Sequence, residues 1–311
     1  MSRQNRVYDK PPLTIDEMVD LLESRNLSIP DRDQACHYLH YINYYRLSGY
    51  AYLLEENHID GARSHRFRQD ASFNDLLSLY VFDRQLRLLV MDAIERVEVA
   101  VRSVMAYELS HKYGDGHWIL NAELFKTSDE FNHKDLIKMI KRETSFTAEE
   151  GTDRHKRREP FINHYYANYD DPALPPSWML VEIMTLGTWS KVYANLKVSK
   201  DRKQISRVFD LAPDMLESWL HSLTCLRNLC AHHSPIYGRR MMAYPPQTRT
   251  GWPELPRTAF ARRVAVLEYL LRKVAPGTQW RAKVKALIDG EPLVNPELLG
   301  IQHHDFWECE L

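Results

Sequence analysis

The chain has 311 residues, of which 44% are hydrophobic and 11% aromatic, so it is long enough for one large domain or two smaller ones with a buried core. Its 41 lysines and arginines nearly balance its 42 aspartates and glutamates, which excludes a strong overall positive field; a nucleic-acid partner would have to be bound by local patches. No apolar run reaches about 18 residues, no secretory apolar region follows Met1, and only four cysteines occur. We therefore expect a cytoplasmic protein that does not contact membranes.

Strong helix signals begin near the start of the chain. Thr14 and Glu17 form a capping-box pattern that predicts a helix to about residue 25, and Asp31 can cap a second helix that runs through residue 42. From residue 72 to about 113, apolar residues recur at three- and four-residue spacings without a proline or glycine. This pattern predicts one very long helix, or two helices joined by a kink.

The tyrosine-rich stretch YINYYRLSGYAY lies between the second and third of these patterns. Its spacing suits packing within a helical core, so we take burial as the default interpretation. Tyrosine rings are also able to stack on the bases of single-stranded RNA, which is the alternative for this stretch.

The second half of the chain is also predicted to be helical, and glycine is scarce, with 11 residues in the whole chain. The helical patterns cover residues 177–195, 199–209, 212–233 and 257–273. Residues 144–160 and the proline-rich residues 234–256 are predicted loops. We expect an all-α fold with an N-terminal helical segment (1–60), a helical core (61–250) and a C-terminal helical extension (251–311), forming one continuous structural unit.

The helix from Pro213 carries an arginine inside its apolar pattern. At about 100° per residue, Arg227 falls near the middle of an apolar stripe. That stripe consists of Leu216, Trp219, Leu220, Leu223, Leu226, Cys230 and Ala231. An unpaired buried guanidinium is strongly unfavourable, so Arg227 should meet a carboxylate such as Glu95 or Glu98, a partner chain, or an anionic ligand such as phosphate.

Two histidines follow on the same helix. Asn228 and His232 are four residues apart on the polar face, so the amide is placed to orient the imidazole, whereas Arg227 and His232 are about 140° apart. Because Ser234 precedes a proline, the helix should end near His233. Either the histidines then swing toward the arginine, or two copies of the helix meet.

The spacing in RNLCAH is similar to the R-x4-6-H signature of the HEPN superfamily of metal-independent ribonucleases. Further segments agree, in chain order: KPPLTIDEMVDLLESRNLSIPD, YINYYRLSGYAY, FDRQLRLLVMDAIERVEVAVRS, LPPSWMLVEIMTLGTWSKVYANL and LRNLCAHHSPIYGRR. Over roughly residues 10–240 the chain resembles the Abi-like (AbiD/AbiF) abortive-infection family of bacteria. The resemblance implies a HEPN-type helical bundle, RNA cleavage in antiphage defence, a homodimer and, as in some relatives, a small noncoding RNA partner.

The resemblance also implies roles for individual residues and requires no metal or other cofactor. A neutral histidine would take the proton of an RNA 2′-hydroxyl, and an arginine would stabilise the charge on the phosphorane-like oxygens. The catalytic set so implied is Arg227, Asn228, His232 and His233. The cations that we expect to contact RNA are Arg102, Lys203, Arg239 and Arg240.

Two other hypotheses remain open at this stage. After the paired histidines the family pattern has Ser-Arg-aliphatic-Trp-Asn-Arg, but here Ser234 is followed by Pro235, Ile236, Tyr237 and Gly238. The altered loop favours a catalytically silent RNA-binding or protein-interaction module as the alternative to an enzyme. A zinc site built on His221, Cys225 and His232 is the third hypothesis, although no C-x-x-C pair completes the ligand set.

Overall fold

The computed structural model describes residues 10–56, 64–128, 131–146, 159–301 and 304–308. These residues form twelve α-helices, and the β-type pairing among them is limited to isolated bridges. The expected all-α class is confirmed. The helices are α1 (Ile15–Ser24), α2 (Arg32–Ile42), α3 (Tyr44–Ala51), α4 (Phe73–Tyr113), α5 (His133–Glu143), α6 (Pro160–Asn168), α7 (Ser177–Ile183), α8 (Leu186–Ala194), α9 (Ser199–Val208), α10 (Pro213–Ala231), α11 (Phe260–Val274) and α12 (Trp280–Asp289).

The predicted helix starts are where the sequence placed them. Thr14 caps α1 in a full capping box, since its hydroxyl accepts from the Glu17 amide and the Glu17 carboxylate accepts from the Thr14 amide. The Asp31 carboxylate accepts from the Gln34 amide at 2.9 Å and caps α2. The long apolar pattern forms one helix, α4, of 41 residues, which is about 60 Å at 1.5 Å per residue.

The described residues divide into two compact units that interleave along the chain. The first contains the described residues up to Arg87, together with Pro235–Gly238 and Ala286–Asn295. The second contains Leu88–Ser234, Arg239–Lys285 and the described residues from Pro296 onward. The division into linear segments at residues 60 and 250 stays a prediction.

In the first unit, α1 packs on α2 and α2 on α3. The tyrosine-rich stretch is only partly in the core. Tyr50 is 1% exposed, but Tyr41 is 75% exposed and Tyr45 is 85% exposed. The default of core packing is therefore wrong for Tyr41 and Tyr45, because the buried face of α2 and α3 is occupied by Leu39 and Leu47 instead.

In the second unit, α10 packs against α8, α9 and α11. Most of the predicted apolar stripe of α10 is buried, including Trp219 and Leu223. Ala231 is exposed, contrary to expectation, because α10 ends there. The predicted loop at 234–256 contains no α-helix, while most of the predicted loop at 144–160 lies outside the described residues.

Candidate functional site

The C-terminal end of α10 forms a tight cap that presents two histidines. His232 is the C-cap, and His233 adopts a left-handed φ of 56°. The His233 amide donates to the Cys230 carbonyl at 3.0 Å, and the Ser234 amide donates to the Leu229 carbonyl at 2.9 Å. These two bonds make a Schellman motif, which usually places glycine where His233 stands.

Arg227 is half-buried and makes no hydrogen bond or ion pair with any described residue. It lines a cavity of about 470 Å³ together with Arg102 and the acidic residues Asp92, Glu95 and Glu98. The expected carboxylate partners are thus in the same cavity, but neither Glu95 nor Glu98 forms an ion pair with Arg227. A guanidinium in this position can bind a partner chain or an anion.

Arg102 is already engaged within its own unit. Its guanidinium lies 3.4 Å from the Glu98 carboxylate and donates to the Met184 carbonyl at 2.8 Å. Glu98 in turn accepts from the Leu186 amide at 2.9 Å, so the pair holds the turn between α7 and α8. The role of Arg102 in binding RNA stays a prediction.

Asn228 and His232 are both exposed on the polar side of α10. Asn228 lines a second cavity, of about 910 Å³, that does not include Arg227. Among the described residues, no side-chain hydrogen bond of Asn228 reaches His232, so the expected orienting contact is not formed in the single chain. Arg227 and Asn228, although adjacent on α10, therefore line different cavities. Neither of these two cavities is lined by His232 or His233.

The other cations proposed for RNA contact lie at the surface. Lys203 on α9 is exposed, as are Arg239 and Arg240 in the segment after α10. Each carries a charge available to solvent, and their contact with RNA stays a prediction.

A model of the family described as Abi-like protein matches residues 37–238. The match extends from α2 to the loop after the paired histidines, and it covers well over half of the chain. The chain belongs to the Abi-like protein family. No curated protein and no solved structure matches it. Membership of this family points to abortive-infection defence.

The loop in which this Abi-like protein departs from the expected pattern is firmly held within the first unit. The Asp83 carboxylate accepts from the Ile236 amide at 2.9 Å and from the Tyr237 amide at 2.8 Å. The Tyr52 hydroxyl donates to the Gly238 carbonyl at 2.8 Å. Gly238 has a φ of 71°, and a Cβ there would lie 2.2 Å from the Tyr52 oxygen, so glycine is required.

Asp83 was missed by the sequence reasoning. It is fully buried, and it also accepts from the Tyr50 hydroxyl at 2.7 Å and pairs with Arg87 one turn later on α4. Burial raises the pKa of the Tyr50 hydroxyl well above its usual range, and Asp83 adds to this effect. The available signal was an aspartate inside an apolar pattern with an arginine four residues later.

Two further features of the Abi-like protein bear on the site. Among the described residues, no group of three or more His, Cys, Asp or Glu side chains is arranged to hold a metal ion, and the set His221, Cys225 and His232 does not converge. None of the described helices is both long enough and apolar enough to span a membrane.

Proposed function

We propose that this Abi-like protein is a metal-independent endoribonuclease that acts in bacterial abortive infection. The observation that carries the proposal is Arg227, a half-buried guanidinium without a partner among the described residues, on the helix whose C-cap is His232. A guanidinium that no carboxylate of the chain engages in an ion pair is able to bind an anion from outside the chain. An RNA phosphate at a site shared with His232 is such an anion.

The residue types suit cleavage through the ribose 2′-hydroxyl. A neutral His232 imidazole removes the 2′-hydroxyl proton, and the 2′-oxygen attacks the adjacent phosphorus. Arg227 stabilises the negative charge that develops on the non-bridging oxygens. A second imidazolium, from His233 or from His232 of a second chain, protonates the leaving 5′-oxygen. The products carry 2′,3′-cyclic phosphate and 5′-hydroxyl ends.

The separate positions of Arg227 and His232 favour a site made by two chains. On an ideal helix the two residues are about 140° apart, and His232 lines neither the cavity at Arg227 nor the cavity at Asn228. In a two-fold dimer, Arg227 of one protomer is able to meet His232 of its partner. We therefore expect a dimer at working concentration, and a strictly monomeric mass in light scattering with full activity would contradict the shared site.

A catalytically silent RNA-binding or interaction module is the second candidate. It is favoured by the loop from Pro235 to Gly238, which departs from the family pattern and is held by Asp83 and Tyr52. Such a module would bind RNA without cutting it.

The deciding experiment incubates the pure protein with labelled RNA in excess EDTA. The enzyme hypothesis predicts cleavage under these conditions, and a single 2′-deoxy substitution at the mapped cut site should then block it. Binding without cleavage would support the module. Cleavage that EDTA abolishes would support a metal-dependent nuclease, and undiminished cutting at the 2′-deoxy position would refute the proposed chemistry.

A further inference from the structure

The second cavity, which we call the α8–α10 cleft, has the size and lining of a ligand site. It measures about 910 Å³ and lies between α5, α8 and α10 in the second unit. Its lining includes Tyr244, Lys191 of α8, the acidic residues Asp135 and Glu217, and the α10 residues His221, Thr224 and Asn228. The cleft therefore combines aromatic rings, hydrogen-bonding groups and charged groups of both signs.

Tyr244 is held in the cleft by an unusual backbone conformation. Its φ is 43°, in the left-handed region that a bulky residue rarely adopts. The preceding backbone is anchored by Arg263, which is 1% exposed and donates to the Met241 carbonyl at 3.1 Å and to the Ala243 carbonyl at 3.2 Å. Such a conformation persists only where the surroundings enforce it.

Arg263 indicates how strongly this arrangement is maintained. The hydrogen bonds found for its guanidinium go to main-chain carbonyls, and burial lowers its pKa to about 10, so it remains charged at neutral pH. Two of these carbonyls, those of Met241 and Ala243, belong to the segment that leads directly into Tyr244. By fixing that backbone, Arg263 acts as a positioning residue for the cleft.

The Tyr244 ring remains available for stacking. It is 55% exposed, and its centroid lies 4.9 Å from that of His221, with the rings tilted by 38°. An exposed tyrosine ring of this kind is able to stack on a nucleobase. The pair therefore forms a platform at the rim of the cleft.

Lys191 is a cation of the cleft that is available to a phosphate. It is exposed and forms no ion pair with the described residues. The two acidic residues of the lining are paired with cations outside it: Glu217 with Arg202, which also pairs with Asp214 at 2.8 Å, and Asp135 with Lys138 at 2.9 Å. Lys191 is therefore able to bind a phosphate next to a stacked base.

The cleft also leads toward the proposed general base. His221, Thr224 and Asn228 follow one another on the polar face of α10, and His232 occupies the next turn of the same series. A strand that places a base on Tyr244 is thus able to continue along α10 to the end of the helix.

We propose that the α8–α10 cleft binds a nucleotide of single-stranded RNA, with its base on the Tyr244–His221 platform and a neighbouring phosphate on Lys191. This proposal rests on the proposed ribonuclease function in one respect: the bound RNA is the substrate only if the protein is a ribonuclease. Binding itself is measured independently of cleavage.

The test is the affinity of the full chain for a fluorescent single-stranded 2′-fluoro RNA, which has no 2′-hydroxyl nucleophile. Tyr244→Ala should weaken binding by about 5- to 100-fold, as expected for one stacked base, and Tyr244→Phe should keep most of the affinity. Lys191→Ala should reduce the slope of log affinity against log salt by about one. Melting temperatures of these variants establish that each is folded.

A matched control is present on α4. Tyr107 is 61% exposed and its ring is tilted against that of His111 with a centroid separation of 4.0 Å, but it lies outside the cleft. Tyr107→Ala should bind like the parent. If Tyr244→Ala and Lys191→Ala also bind like the parent, the proposal is wrong.

Two further measurements are needed. One distinguishes a free nucleotide from an RNA strand as the ligand of the cleft, and the other distinguishes failure of the cleft proposal from failure of the proposed ribonuclease function. A 5′-mononucleotide that binds as tightly as the RNA, in a Tyr244-dependent way, would identify a free-nucleotide site and overturn the assignment to an RNA strand. Tyr244-dependent RNA binding by a protein that cuts no RNA would support the cleft and refute the ribonuclease. RNA cleavage by a protein whose RNA affinity is unchanged by Tyr244→Ala would support the ribonuclease and refute the cleft.

Discussion

Arg87 and Arg227 each interrupt the apolar pattern of a helix, but their surroundings differ. Arg87 in the first unit is buried, pairs with Asp83 and donates to the Tyr50 hydroxyl at 3.1 Å. Arg227 in the second unit is half-buried and has no such partner among the described residues. The first arginine belongs to a closed network that stabilises the fold, whereas the second is available for a ligand or a partner. Local sequence separates the two cases only in part: Asp83 lies four residues before Arg87 on α4, but the burial of this pair against Tyr50 depends on a residue that is distant in the chain.

The largest effect is expected from a variant that disrupts the network of Asp83, Arg87 and Tyr50. Asp83→Ala removes the acceptor of two backbone amides and leaves Arg87 buried without its carboxylate, which should cost about 3–5 kcal/mol of unfolding free energy. Urea denaturation measures the change. Asp92→Ala breaks the exposed pair with Arg96 on the same helix and should cost well under about 1 kcal/mol. Equal losses for the two variants would mean that the Asp83 network is not structural.

Arg227→Ala tests the arginine that has no ion-pair partner among the described residues. We expect cleavage to fall by about 10²–10³-fold, because charge stabilisation in the transition state is lost, and RNA affinity or dimerisation to weaken. The melting temperature of the single chain should change little, since no described residue loses a partner. Single-turnover rates and dimer dissociation are the measurements. Arg142→Ala, which removes a 76% exposed arginine side chain, is the control.

His232→Ala should reduce cleavage by about 10²-fold or more while folding and RNA binding are retained, because it removes a proton acceptor at an exposed helix end. The comparison variant is His233→Gly, which removes the neighbouring imidazole and suits the left-handed φ of 56°. It should cleave faster than His232→Ala. Parental cleavage by His232→Ala with loss in His233→Gly would transfer the role of base to His233, and full activity of both would remove the HEPN-type assignment.

Asn228→Ala should give the smallest loss, below about tenfold. The amide has no side-chain bond to His232 in the single chain, so its removal should free the imidazole to rotate in the assembled site without removing a group that takes part in proton transfer. The same single-turnover assay detects the effect. A loss as large as that of Arg227→Ala would mean that Asn228 contacts the reacting phosphate directly.

Several elements were predictable because their signals are local. The capping box at Thr14, the cap at Asp31 and the unbroken apolar pattern of α4 each predicted a helix that the structure contains. Short helices were harder. The separate helix α3 follows Asn43, whose positive φ of 77° ends α2 and caps the next helix, and no periodicity distinguishes that break from a continuous helix.

The surroundings of the polar residues were not predictable in the same way. The helical periodicity of α10 placed Arg227 within the apolar stripe and Asn228 on the opposite face. In agreement with this, the two residues line different cavities in the structure. The partners of Asp83, the exposure of Tyr45 and the position of Tyr244 over His221 follow from segments far apart in sequence.

The sequence by itself determined the all-α class, the family and the residue types at the end of α10, because helix periodicity, capping and motif spacing are local properties of the chain. Only the tertiary structure decided that Asp83 holds the loop at Pro235–Gly238, that Arg227 is left without a carboxylate, and that Arg263 fixes Tyr244 at the α8–α10 cleft. Whether a charge is paired depends on which distant groups packing brings within hydrogen-bond distance, and neither charge nor periodicity along the chain encodes that distance.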